Sequence, residues 1–219
     1  MPLLGQGALA IWNAIAGEAA EEFYRWHNGE HVPERVGVPG FLRGRRYLST
    51  SAPLDYFTLY ETESASTIGS APYLARLNDP TPWTRRVLPH FRSTVRVGCR
   101  VAVSRGRGQG GGLLTARVFP REPRTWDGPD VASALDVAGV IGVHLLEPVP
   151  ETTRIQTKEK ELRGARPGEA EAPEPWVLLV ELNDPELAAS LLRGPLADLG
   201  RRPDTVSGAY RLQFSLDRG

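Results

Sequence analysis

The chain has 219 residues, 41% of them hydrophobic and 24% charged, the profile of a sequence that folds around a core rather than staying disordered. Its 26 Lys and Arg balance 26 Asp and Glu, so no long-range field gathers a nucleic acid or holds the chain on an acidic membrane, and neither partner is expected. A single cysteine, Cys99, excludes an internal disulfide, and no basic run precedes an apolar stretch near the N-terminus, which together predict a reducing, cytoplasmic setting.

Residues 7–15 are apolar and β-compatible, and Gly17 separates them from a helix-favouring run over 18–35 that ends near Gly37 and Pro39. Two strands, 41–49 and 56–61, flank a loop containing Pro53 and are expected to pair as a hairpin. Residues 64–77 read as a second helix, and 79–91 as an added, Pro-punctuated piece with a short helical turn. Then Val95, Val97, Cys99, Val101 and Val103 alternate with Arg96, Gly98, Arg100 and Ala102, the period of a strand with one apolar face. The order to this point is β-α-β-β-α-β.

Residues 105–112 (Arg-Gly-Arg-Gly-Gln-Gly-Gly-Gly) form a connector whose composition predicts flexibility. A phosphate-cradling loop would need a Lys-Ser/Thr pair and a following helix, and neither is there. Beyond it the same order recurs: strand 113–119, helix 129–138, strands 140–149 and 176–182, helix 184–193 and strand 206–216. A charged, Pro/Glu-rich insert at 151–175 separates the middle strands and reads as a mobile hairpin loop.

The segment Phe23-Tyr24-Arg25-Trp26-His27-Asn28-Gly29-Glu30-His31-Val32-Pro33-Glu34-Arg35, followed by Val38-Pro39-Gly40-Phe41, is similar to the helix and turn of the EthD-like branch of the dimeric α+β barrel superfamily. The order of elements extends that resemblance over nearly the whole chain, in tandem form. It implies an α+β fold of two ferredoxin-like β-α-β-β-α-β halves, residues 1–104 and 113–219, joined by the 105–112 linker. Their antiparallel sheets would pack face to face as an intramolecular version of a barrel normally built by two subunits. The cavity would then lie between a sheet and its helices or inside the barrel. Because the second half lacks the helix motif, the resemblance implies one site, in the first half.

Several residues there carry candidate chemistry. At 100° per residue, Ala19, Phe23 and Trp26 form the core-facing stripe of the helix, and Glu30 falls on it, as either a tuned acid/base or half of a structural ion pair. His27 and His31, four apart, share one flank of that helix. The spacing suits a metal, but no third ligand is evident and no metal is assigned. His31 is the candidate general acid/base, since imidazole titrates near neutrality, with Glu30 and His27 orienting it and Trp26, Tyr47 and Trp83 walling the pocket. On the strand 41–49, Arg43, Arg45 and Tyr47 share one face, and Tyr56, Thr58 and Tyr60 share one on its neighbour; in a lone sheet these faces are solvated, whereas in a barrel they point inward. Solvated or interface arginine is the expectation, with Arg45 or Arg46 near a developing oxyanion as the functional alternative. Trp83 and His90, in the 79–91 segment, either lid a pocket or plug the barrel's open end, and plugging is favoured. His144 and Cys99 read as core.

The expectation is a cofactor-independent enzyme of oxygenase, cyclase or isomerase type acting on a small apolar, oxygen-bearing metabolite, with a small-molecule ligand as partner. Members of the superfamily also include haem enzymes and proteins without known activity, so fold does not fix chemistry. A non-catalytic binding or assembly protein and a haem binder are the rival readings. A chain that closes its own barrel can be a monomer, and exposed edges would allow a homodimer.

Overall fold

β1 (Gly7–Ile15) is buried along nearly its whole length. A strand covered on both faces reads as a continuous apolar run rather than an alternating one. The computed structural model describes residues 3–119, 131–164 and 174–219, and in it β1 pairs on one side with β3 (Tyr56–Thr62) and on the other with β4 (Phe91–Gly106). With β2 (Phe41–Ser49), β5 (Gly112–Val118), β6 (Val140–Pro148), β7 (Trp176–Leu182) and β8 (Thr205–Asp217), they close an antiparallel barrel in the order β1-β3-β2-β8-β5-β7-β6-β4. β2 and β3 pair as the hairpin signal predicts. The strand order β4-β1-β3-β2 recurs as β8-β5-β7-β6, and the two sets join through β2 with β8 and β4 with β6. Closure leaves no unpaired sheet edge.

The helices lie outside this barrel. α1 (Ala20–Trp26), a π-helical turn (His27–His31) and α2 (Val32–Val36) form one rod over the first sheet, followed by α3 (Ala71–Asn78) and α4 (Pro82–Val87). α5 (Val131–Leu135), α8 (Leu187–Arg193) and α9 (Ala197–Arg201) cover the second sheet, while α6 (Pro150–Thr153) and α7 (Lys158–Leu162) lie between β6 and β7. The helix expected over 64–77 is broken. Residues Ala65–Gly69 form a 3-10 turn and Ser70 is extended, so α3 starts afresh with Pro72 in its first turn, where a missing N–H costs nothing. Of the helix expected over 129–138, residues 129 and 130 lie outside the described residues, as do residues 165–173 of the insert.

The barrel interior is packed. Trp12, Tyr47, Phe57, Leu59, Cys99 and Tyr210 fill it, with Val97 and Cys99 pointing inward as the β4 alternation predicts. Among them sits a buried charge cluster. Arg43 Nε and Nη2 donate to the two carboxylate oxygens of Glu61, at 2.8 and 3.0 Å. Arg45 Nη1 donates to Glu181 at 2.5 Å, and its Nη2 lies 3.1 Å from Glu61. Arg45 is 0% exposed and Arg43 9%, so of the expected settings, solvated or interface, the solvated one is overturned: closure of the sheet turns their face inward, where carboxylates from β3 and β7 meet them. The same pleat sends Tyr56, Thr58 and Tyr60 the other way, under the helices, because Phe57, Leu59 and Glu61 take the inward positions. Cys99 is fully buried, and burial pushes its thiol pKa up, which leaves it unreactive. His144 is core as expected, its Nδ1 2.9 Å from Ser104 Oγ.

The glycine-rich connector is docked at one end of this cluster rather than loose. Gly110 N–H donates to Glu181 Oε2 at 3.1 Å, and Gln109 accepts from Arg43 at 3.2 Å. A Cβ on Gly110 would stand 2.1 Å from the Leu182 carbonyl oxygen, so the close approach requires glycine. Gly44 does the same for α2, since a Cβ there would meet Val32 Cγ1 at 2.8 Å and Tyr60 Cε1 at 2.9 Å. Gly44→Val should lower the unfolding free energy by about 1–3 kcal/mol by forcing the helix off the sheet, read as a lower denaturation midpoint with unchanged denaturant slope.

Candidate functional site

The π turn winds wider than an α-helix, with Val32 N–H reaching back to the His27 carbonyl. That brings His31 back over His27, with ring centroids 5.4 Å apart, and lays its ring on Trp26 at 4.2 Å. Both histidines are buried, 4% and 5% exposed. Burial, and next the Arg46 cation, hold the His27 pKa well below the usual imidazole range; for His31 burial leads and Arg35 adds to it. Both imidazoles are therefore neutral at physiological pH, which revises the expectation of a His31 titrating near neutrality. His27 Nδ1 lies 3.2 Å from Arg46 Nη1, whereas His31 Nδ1 is buried without a hydrogen-bond partner among the described residues.

His31 lines a small cavity between the first sheet and its helices. Its floor is Ile11, Tyr60 and Arg96, from β1, β3 and β4. His31, Arg35, Ile68, Tyr73, Leu74 and Leu77 form the walls. The roof comes from the other half of the chain: Ile155, Thr157, Glu159, Lys160 and Arg163. The described part of the insert is thus not a free hairpin loop. α6 and α7 lie across the first sheet, held by Thr153 Oγ1 accepting from Gly98 N–H at 3.0 Å, by Arg96 donating to the Thr152 carbonyl at 2.9 Å, and by an ion pair between Arg35 and Glu159. The enclosed space is about 20 Å³, room for about one water.

The structure does not bring the expected site residues together in one place. His31 lines the cavity and Trp26 and His27 back it. Arg45 and Tyr47 lie inside the barrel, on the opposite side of the sheet. Arg46, one residue on, points to the helix side and donates to Asn28 Oδ1 at 2.7 Å, with its guanidinium over the Tyr24 ring. Glu30 makes no ion pair among the described residues. It accepts from the Thr81 and Thr84 hydroxyls at 2.5 and 3.2 Å, and Trp26 Nε1 donates to Thr84 at 3.1 Å. Those bonds fasten α4 to the rod, as does Trp83 Nε1 donating to Glu22 at 2.6 Å, so this segment neither plugs the barrel nor covers the cavity. His90 faces a separate shallow surface depression with Glu18, Glu22 and Arg86. Arg35, Tyr60, Arg96, Glu159 and Arg163 were not singled out for the cavity from sequence. Arg35 was accessible to such reasoning, lying one turn beyond His31, but the insert residues carry no local signal of where they land.

No protein-family model matches the sequence, and a search of curated proteins gives no match. Solved structures do match, at low identity. An anthrone oxidase-like protein superposes with a TM-score of 0.63 at 9% identity, over 97% of this chain and 93% of that one. A proposed monooxygenase from Fusobacterium nucleatum gives 0.57 at 10% identity, over 99% and 97%. A heme-binding protein from Thermus thermophilus gives 0.52 at 10%, over 98% and 93%. The fold is a dimeric α+β barrel. At such identity the likeness extends to the fold alone, and no helix among the described residues is long and apolar enough to cross a membrane.

Proposed function

We propose that the chain is a cofactor-independent enzyme of oxygenase, cyclase or isomerase type that takes a proton from a small, mostly apolar, oxygen-bearing metabolite held between the first sheet and its helices. The observation that carries this reading is the His31 Nδ1, buried, neutral and without a hydrogen-bond partner among the described residues, in a cavity it shares with the donors Arg35, Tyr60, Arg96, Lys160 and Arg163 and with one lining carboxylate, Glu159. An unpaired buried acceptor is costly unless something uses it. A neutral imidazole accepts an O–H or acidic C–H proton, and the adjoining guanidiniums stabilise the enolate or phenolate that results. That anion can tautomerise, close a ring or react with dioxygen. Trp26 fixes the His31 ring by stacking, His27 backs it, and the Glu30 bonds hold the rod in register. The names of the structural neighbours, among them an anthrone oxidase-like protein and a proposed monooxygenase, are consistent with chemistry of this class.

Haem fits these residues poorly. His31 has the chemistry of an iron ligand, but its ring is stacked on Trp26 and flanked by His27, Arg35 and Glu159 around a space of about one water, so a macrocycle needs far more of the surrounding packing displaced than a small metabolite does. Added haem should leave the purified protein without a ligated-haem absorption band.

The test uses anthrone, 2-naphthol and a cyclic 1,3-diketone as probes. Anthrone and dioxygen give anthraquinone and water, followed by absorbance and oxygen uptake, and solvent deuterium exchange reports proton removal from the diketone. Turnover above the uncatalysed rate on at least one probe is expected, falling by about 10²–10⁴-fold in His31→Ala with circular dichroism unchanged. No acceleration on any probe, or an unimpaired His31→Ala, overturns the enzyme reading in favour of a binding or assembly role.

A further inference from the structure

The cavity is one-sided in charge and in hydrogen-bonding character. Arg35, Arg96, Lys160 and Arg163 line it against a single lining carboxylate, Glu159. That carboxylate is shared: Arg35 Nη2 pairs with Oε1, and Arg163 Nη2 lies 3.3 Å from Oε2. Even so, Arg35 Nη1, Arg163 Nε and the Tyr60 hydroxyl are buried without hydrogen-bond partners among the described residues. Three unmet donors around the Glu159 carboxylate, with Glu34 the next carboxylate to Arg35 at 3.7 Å, describe a site for an anion, and the splitting of one carboxylate's two oxygens between two guanidiniums describes a carboxylate in particular.

Glu159 also belongs to the wrong part of the chain to be a wall. It sits on the five-residue α7, fastened to the first half by polar contacts such as Lys158 N–H to Asn78 Oδ1 at 3.2 Å. With room for about one water, no organic ligand enters unless this roof moves. We infer that Glu159 is an internal stand-in for the carboxylate of the ligand: the true ligand is a small apolar carboxylic acid whose carboxylate replaces that of Glu159 between Arg35 and Arg163 as α7 lifts. Its body would lie against Ile11, Ile68, Tyr73 and Leu77, below the segment that Glu159 vacates. This deepens the reading above by naming the ligand class, and it rests on that reading only for the role of His31.

Binding and turnover separate the two. Benzoate and salicylate are titrated calorimetrically into the full chain, with benzamide as the neutral control. Glu159→Gln keeps the shape of the stand-in and removes its charge, so it should bind both carboxylates about tenfold or more tightly than the unaltered protein, because the competent fraction rises, with benzamide unaffected. Arg35→Gln should abolish carboxylate binding. His31→Ala should retain it even while losing turnover, so failure of the proton-transfer reading leaves this result standing. Unchanged or weaker carboxylate affinity in Glu159→Gln overturns the inference. Should that variant not fold, hydrogen exchange in the unaltered protein decides: amides of residues 155–163 must exchange faster with benzoate present and not with benzamide, and unchanged exchange overturns the proposal.

Discussion

Replacing Arg45 by methionine should lower the unfolding free energy by about 3–5 kcal/mol, the cost of breaking a buried ion pair and stranding its partners. Arg45 is the hinge of the barrel's charge cluster, with Nη1 2.5 Å from Glu181 and Nη2 3.1 Å from Glu61. Without it Glu61 keeps its Arg43 bonds, but Glu181 is left with the Gly110 N–H at 3.1 Å. Burial alone would push the Glu61 carboxyl pKa up, yet Arg45 and Arg43 outweigh burial and the net direction is down. The sign follows: this contribution is fully present above the ordinary carboxylate value of about 4.3 and is lost as pH falls through the lower folded value. A urea titration at pH 7 measures the loss, and the Arg45→Met/Glu181→Leu double variant should recover most of it, because removing both partners leaves no stranded charge at that pair. A single variant within about 1 kcal/mol of the unaltered protein would mean that the cluster contributes little and that shape alone closes the barrel.

Much of this fold was legible because period and punctuation are local. The β4 alternation, the Pro39-Gly40 turn and the β2–β3 hairpin depend on neighbours in sequence, and the structure contains each of them. What sequence could not supply was which side of a sheet becomes the inside. Arg45 and Tyr47 share a face that a lone sheet leaves solvated and a barrel encloses, and only the pairing of β8 with β2 turns it inward. The candidate site shows the same limit. His31 stood out by chemistry and Trp26 by helical phase, whereas Glu159 reaches Arg35 across 124 residues, a distance no motif spans. The insert's charge and proline content suggested a mobile hairpin loop. In fact its described part spends that charge on the first half, through the Arg35–Glu159 pair.

Acidification should destabilise the protein well before its carboxylates titrate. His27, His31 and His144 are all buried, and burial leads the causes that lower each pKa, with His144 pushed down to about 4. The charges facing them reinforce this: Arg46, Arg163 and Arg35 around His27, and Arg35 and Arg163 around His31, while at His144 Arg45 opposes a weaker Glu61. In the unfolded chain each imidazole returns to about 6.5. Between that value and the folded one the unfolded state binds more protons, so stability is full above about 6.5 and declines as pH falls. Each histidine contributes a slope of about 1.4 kcal/mol per pH unit in that window, and all three together about 4 kcal/mol per unit. Urea midpoints at pH 7.5, 6.5 and 5.5 should fall progressively, and His144→Gln should remove about a third of the slope; a flat profile would place these histidines in contact with solvent. The same burial bears on catalysis. If His31 takes the substrate proton, the acid limb of kcat/KM lies well below the ordinary imidazole value, and activity at pH 6 is bounded by the surviving folded fraction rather than by protonation of the base.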